Sequence, residues 1–129
     1  MALAAAVLAA DGVSLLLVGS AALWLRGERV PVGDVDVVIK PGEQNLHYLH
    51  AALADLALRP RAVPPPHRLA QQPIVTVATS YGRVDCLLER GRRDWGRLRR
   101  SADPVAVADV SILVAGRADT WALRRRFRA

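Results

Sequence analysis

Two acidic residues separated by one apolar residue, in Asp34-Val35-Asp36, are the strongest chemical feature of this sequence. Their β-branched, alternating surroundings predict a strand over Asp34–Ile39 that ends at Pro41-Gly42. Residues i and i+2 of a strand project to one face, so Asp34 and Asp36 would form a carboxylate pair with Val35 in the core behind them. Because two bare carboxylates repel one another, the pair favours a neutralising cation, and oxygen ligands suit Mg²⁺ or Mn²⁺ better than zinc. An ordinary strand entry with exposed acids is the alternative.

A Gly-Ser pair, Gly19-Ser20, lies upstream of the two acids between a predicted strand and a predicted helix. The short apolar run Val13–Val18 is typical of a strand buried on both faces, and a helix starting near Ser20 continues to Gly27. Glycine lets the backbone approach a ligand, the first turn of a helix attracts phosphate, and a serine hydroxyl can bond a phosphate oxygen. If the two strands are neighbours, phosphate and metal sites would lie side by side, as phosphoryl transfer requires. A plain strand-to-helix turn is the alternative.

Asp85 is the candidate for a third acid. It lies in Arg83–Leu88, which Ser80-Tyr81-Gly82 joins to Ile74–Thr79 in a predicted hairpin. If this strand pairs beside the strand of Asp34, Asp85 would face the same cleft, share a metal and accept the proton of an attacking hydroxyl. An isolated aspartate that faces water is the alternative.

Further helices and strands would hold these segments in place. Patterning predicts helices over Ala2–Ala10, Glu43–Leu58, Arg90–Arg100 and Ala118–Phe127, and strands over Val105–Val107 and Ser111–Ala115. The proline-rich segment 59–73 is predicted to be a surface connection. The mixture of elements predicts an α+β fold, with a small mixed β-sheet flanked by helices.

Length and composition limit the possible classes of protein. The chain has 129 residues, which predicts one domain over residues 1–129, and 52% hydrophobic residues argue against disorder. The net charge of +6 favours anionic partners such as nucleotides or RNA, although a solvated basic surface is the alternative. A single cysteine, Cys86, excludes an internal disulfide and a cysteine-based zinc cluster. With one cysteine, cytoplasmic residence is the simplest expectation. Because Asp11-Gly12 and Gly19-Ser20 interrupt the apolar start, we expect no membrane segment.

Gly19-Ser20, followed after a helix by Asp34-Val35-Asp36 and later by a lone Asp85 on a strand, resembles the motif of the DNA polymerase beta-like nucleotidyltransferase superfamily. More narrowly, the chain is similar to small bacterial nucleotidyltransferases, which include minimal members and abortive-infection-type toxins. The resemblance covers Val13 to about Leu88, with a looser likeness over Val105–Ala122. It implies the nucleotidyltransferase fold and an enzyme that transfers a nucleoside monophosphate from an NTP such as ATP to an acceptor hydroxyl, releasing pyrophosphate.

The resemblance also implies roles for individual residues. Gly19 and Ser20 match the positions that hold the triphosphate, Asp34 and Asp36 match paired ligands of Mg²⁺ or Mn²⁺, and Asp85 matches the third carboxylate. We further expect a nearby arginine to neutralise charge on pyrophosphate. The two candidates for that role are Arg26 and Arg29.

The sequence leaves the NTP, the acceptor (RNA, tRNA, protein or a small molecule) and the oligomeric state open. A toxin-antitoxin role is one possibility. A second hypothesis is a catalytically silent binding module or antitoxin-type subunit of the same fold that needs a protein partner. Antibiotic adenylylation is a third hypothesis and ranks last, because no feature resembles a drug pocket.

Overall fold

The protein is built around one mixed β-sheet. Its structure is a computed structural model, which describes residues 2–128 and the side chains of residues 2–123. Its strands are β1 (Leu15–Val18), β2 (Val35–Ile39), β3 (Ile74–Thr79), β4 (Gly82–Leu87), β5 (Asp103–Val107) and β6 (Val110–Val114). The strand order is β3-β4-β2-β1-β6-β5, and β2 pairs in parallel with β4 and antiparallel with β1. The central position of β1 explains why all four of its side chains are apolar and buried.

Helices cover the sheet and connect its strands. They are α1 (Leu3–Ala10), α2 (Gly19–Leu25), α3 (Glu43–Leu56), α4 (Pro66–Leu69), α5 (Leu88–Arg100) and α6 (Arg117–Arg128), with a 3-10 turn at Pro60–Ala62. Within residues 2–128, every helix is too short or too polar to cross a membrane.

The sheet carries a hydrophobic cluster on each face, because side chains alternate along its strands. One cluster joins Leu17 and Val37 to Leu8 of α1 and to Leu49 of α3. On the opposite face, a second cluster packs under α5 and α6, and it contains Leu16, Val18, Val38, Leu87, Leu98, Ala115 and Leu123. Asp36 and Asp85 stand two positions before Val38 and Leu87, which places both acids on this second face.

The predicted α+β class and the small mixed sheet flanked by helices are confirmed. The helix predicted over Glu43–Leu58 ends at Leu56, because Ala57 forms a β-bridge with Thr79 and the Leu58 N–H donates to the Ala78 carbonyl at 2.9 Å. Sheet pairing thus overrides helical periodicity at this point. The predicted surface connection 59–73 instead contains the 3-10 turn and α4.

Other boundaries move by a few residues. β1 begins at Leu15 and α2 begins at Gly19 itself, whereas α5 starts at Leu88. β5 is longer than predicted and begins at Asp103, because it pairs along the whole of β6. The closing helix begins at Arg117, and its side chains beyond residue 123 lie outside the described part.

Candidate active site

The strand register brings two of the three predicted acids directly together. Asp36 of β2 lies opposite Asp85 of β4 in the parallel pair, and Val18 of β1 lies opposite Asp36 on the other side. Gly19 follows Val18 immediately, so three chain segments that are distant in sequence meet at one end of the sheet. The strand of Asp85 therefore pairs beside the strand of Asp36, which the sequence analysis had left as a condition. Asp34 itself precedes β2, and 45% of its side chain is exposed.

Gly19 allows the backbone of α2 to approach Asp36 very closely. Its φ of +71° lies in the left-handed region, which favours glycine. A Cβ added at this position would lie 3.2 Å from both Cβ and Cγ of Asp36, and closer still to Oδ2 of the same side chain. Any other residue type at position 19 would therefore have to displace the Asp36 carboxylate.

Burial and the neighbouring acids change the protonation of Asp36. Burial raises the pKa of Asp36 from 3.8 to about 7, helped by a hydrogen bond with Asp85 and by the charges of Asp85 and Asp34, while Arg83 opposes the shift. Asp85 also accepts a hydrogen bond from the Thr76 hydroxyl at 2.6 Å. At neutral pH Asp36 is therefore partly protonated. The hydrogen bond from Thr76 fixes the orientation of the neighbouring Asp85 side chain.

Arg83 lies loosely between two of the acids. Its Nε is 3.4 Å from Oδ2 of Asp34 and 3.7 Å from Oδ1 of Asp85, and 57% of the side chain is exposed. These distances and this exposure describe a solvated ion pair, which contributes little to stability. The arginine therefore does not close the acids off from solvent.

A cleft of about 380 Å³ opens over the acids on this face of the sheet. It is lined by Val18, Gly19, Ser20, Asp36, Ile74, Thr76, Arg83, Asp85, Leu87 and Leu123. Apolar walls with a few convergent polar groups are typical of a small-molecule site, and the volume lies within the usual range of about 300–1,000 Å³.

Two acids at the cleft provide oxygen donors of the kind that a divalent cation binds. Among the described residues, no three His, Cys, Asp or Glu side chains stand close enough together to hold a metal ion as they are placed. Asp36 and Asp85 nevertheless provide adjacent carboxylates, and oxygen donors of this kind fit Mg²⁺ or Mn²⁺. Burial and the neighbouring acids together raise the pKa of Asp36, so a bound cation would offset the cost of its charged form. The pair of Asp36 and Asp85 thus fits a hard divalent cation, whereas Asp34 lies outside the cleft lining.

The two predicted phosphate-binding arginines lie outside the cleft lining. Arg26 donates through Nε to the Ala115 carbonyl at 2.8 Å and through Nη2 to the Val114 carbonyl at 3.0 Å. The same Nη2 lies 2.9 Å from Asp103 Oδ2, so Arg26 joins the end of α2 to β5 and β6. Arg29 is exposed in the segment between α2 and β2.

Two polar residues of the cleft lining, Arg83 and Thr76, were not among the predicted site residues. Arg83 stands two positions before Asp85 on the same strand, so strand alternation could have found it. Thr76 could not have been found in that way, because it depends on the hairpin register that places it opposite Asp85.

Comparison with solved structures shows a shared fold. The chain matches a crystal structure from Thermotoga maritima, that of TM1012, which is provisionally named a nucleotidyltransferase. The match has a TM-score of 0.59 and 14% sequence identity, and it covers 91% of this chain and 75% of the other. No family model and no curated protein matches the chain. The similarity shows the fold that the sequence motif implied.

Proposed function

We propose that the protein is a Mg²⁺-dependent nucleotidyltransferase that moves a nucleoside monophosphate from an NTP to an acceptor hydroxyl. One observation carries the proposal: Asp36 and Asp85 lie side by side across parallel strands, with the Gly19 backbone against Asp36. The match to a protein of the same fold supports it at the level of fold. We propose RNA, a protein or a small molecule as the acceptor, and a toxin-antitoxin role is part of the proposal.

The roles of the residues follow from their positions. Asp36 and Asp85 would hold the cation, with Asp34 as a further ligand, and Gly19 and Ser20 would contact the triphosphate at the cleft wall. The cation, when bound, supplies positive charge that neutralises phosphate oxygens. The acceptor oxygen bonds to the α-phosphorus, its proton passes to Asp85, and the bond to the bridging oxygen breaks to release pyrophosphate. Thr76 would orient Asp85 for that proton transfer through its hydrogen bond.

Labelling with an α-³²P NTP tests the proposal. The purified protein with Mg²⁺ should label RNA, protein or itself, and Asp36→Ala and Asp34→Ala should abolish the labelling. Asp55→Asn is the matched control, because it removes a carboxylate from the exposed surface of α3. Labelling that survives both alanine substitutions would defeat the assignment.

A second candidate is a catalytically silent module of the same fold, such as an antitoxin-type subunit that needs a partner. One observation favours it: the acids at the cleft are not grouped as a ready three-ligand set among the described residues. Titration calorimetry with ATP, with and without Mg²⁺, separates the two candidates. Binding of ATP that requires Mg²⁺ supports the enzyme, and its absence supports the silent module.

A further inference from the structure

A second cavity, of about 580 Å³, lies on the other side of the molecule from the acids. It opens where the chain leaves β2, at the end of that strand opposite to Asp36. Its floor is apolar and buried, formed by Ile39, Leu46 and Leu88, which are 1%, 9% and 2% exposed. The cavity shares no lining residue with the cleft at Asp36.

Close packing of helices against β2 builds this cavity. Gly91 of α5 lies directly on the Ile39 backbone, because a Cβ at position 91 would collide with the Ile39 carbonyl oxygen. On the other side, the Asn45 amide donates to the carbonyls of Lys40, at 2.8 Å, and Ser14, at 3.0 Å. These contacts fix the positions of the strand end and of the two helices that carry the lining.

The segment that carries α4 is also held in place. His50 Nδ1 lies 2.9 Å from the Pro64 carbonyl, which ties the approach to α4 to the middle of α3. The cavity wall from Pro66 to Ala70 therefore rests on α3 and is part of the packed structure.

The rim of the cavity is mainly basic, in contrast to its floor. Lys40, the only lysine of the sequence, and Arg92 provide two cations, and His47 and His67 add two imidazoles. Glu43 is the one acidic residue of the lining. Arg92 is fixed at the rim, since its Nη2 donates to the Gln72 carbonyl at 2.9 Å.

We propose that this cavity binds a small organic anion, which places a flat apolar body on the Ile39, Leu46 and Leu88 floor and an anionic group at the Lys40 and Arg92 rim. Apolar side chains at the floor favour burial of a ring, and cations at the mouth select a negative charge. The volume suits a molecule with one or two rings. This site is separate from the candidate active site, and it does not depend on the proposed transfer reaction.

The probe for this test is 2-naphthoate, which has a two-ring apolar body and one carboxylate. A ¹H–¹⁵N NMR titration in EDTA, without nucleotide, should show saturable binding with shifts at the amides of Gly42, Ala70 and Arg92, and none at Gly19 or Asp85. Neutral 2-naphthol and acetate should each bind at least about threefold more weakly, because each lacks half of the interaction.

Charge variants give opposite expected effects. Arg92→Gln should weaken binding of 2-naphthoate by about threefold, and Glu43→Gln should tighten it by a similar factor, since both groups are exposed and partly screened. Arg59→Gln is the matched control outside the lining and should leave the affinity unchanged. The same spectra report whether each variant is folded.

Three results would overturn the proposal. The first is the absence of saturation up to about 10 mM probe, which corresponds to a binding free energy weaker than about 3 kcal/mol. The second is a set of chemical-shift changes centred on the cleft at Asp36. The third is equal affinity for 2-naphthoate and 2-naphthol. A null effect of both charge variants would overturn the role of the rim. Because the experiment uses neither Mg²⁺ nor NTP, its failure is distinguishable from failure of the proposed enzyme activity.

Discussion

Replacing Gly19 by alanine tests the contact on which the candidate active site depends. At φ +71° the new side chain pays the cost of a left-handed backbone, about 1–2 kcal/mol. Its Cβ would also enter the space of the Asp36 carboxylate, at a distance below the 3.0 Å that real Cβ atoms keep. Relieving that overlap costs typically about 1–3 kcal/mol. We therefore expect Gly19→Ala to lower the free energy of unfolding by about 2–5 kcal/mol.

Gly27 provides a matched control at the other end of the same helix. It follows α2 with a φ of +92°, and a Cβ added there would meet no atom within 4 Å. Gly27→Ala therefore carries the backbone cost alone, about 1–2 kcal/mol. The difference between the two variants measures the contact between Gly19 and Asp36.

Urea denaturation followed by circular dichroism measures the stabilities, and NTP labelling under folded conditions measures transfer. We expect Gly19→Ala to lose about 100-fold in transfer, because a displacement of about 1 Å in a positioned group has effects of this size. Gly27→Ala should retain most of the wild-type rate. The reasoning is refuted if the two variants lose the same stability, or if Gly19→Ala transfers at the rate of Gly27→Ala.

Three further predictions concern single side chains. Asp36→Asn should stabilise the metal-free protein by about 1–2 kcal/mol near pH 8, a figure reduced from the full shift because solvent partly screens the group. Because the pKa of Asp36 is raised from 3.8 to about 7, this gain is constant above about pH 7 and shrinks as the pH falls. It vanishes near pH 4, where the carboxyl is protonated in both the folded and the unfolded protein. Urea denaturation in EDTA measures the gain with Asp55→Asn as the control, and destabilisation near pH 8 would contradict the raised pKa. Thr76→Val should lower kcat by about tenfold with less than about 1 kcal/mol of lost stability, since the exposed hydroxyl orients Asp85; an unchanged kcat argues against that role. Arg26→Gln should lower the free energy of unfolding by about 1–3 kcal/mol, because two carbonyls and Asp103 lose their hydrogen-bond donor. Wild-type stability together with a loss of nucleotide transfer would instead support the predicted contact with pyrophosphate.

The position of Asp36 depends on both local sequence pattern and long-range packing. Alternation over 34–39 was enough to place Val35 in the core and Asp36 on the opposite face, because side-chain direction along a strand is a property of the backbone alone. Whether Asp85 lies beside Asp36 depends on β4 pairing with β2 in a particular register. That choice is made by packing of residues far apart in sequence, so the sequence analysis could state it only as a condition.

The charge and composition of the sequence did not predict which arginine lies beside the acids. The sequence analysis took Arg26 and Arg29 as candidates to neutralise charge on pyrophosphate. In the fold, the guanidinium of Arg26 meets the free carbonyls at the end of β6, where buried acceptors require a donor. Arg83 is the arginine that lies beside Asp34 and Asp85. A long flexible side chain can reach several partners, and the tertiary structure decides among them.

By itself, the sequence determined the local elements: a buried strand that ends before Gly19, an aspartate on each side of Val35 in the sequence, and a hairpin that carries Asp85. These follow from backbone geometry and side-chain size, which act over a few residues. Only the tertiary structure decided the strand order, the contact of Gly19 with Asp36, the raised pKa of that carboxyl and the second cavity at Ile39. Each of these features depends on packing between segments that are distant in sequence. The free energy of that packing cannot be read from any short stretch of the chain.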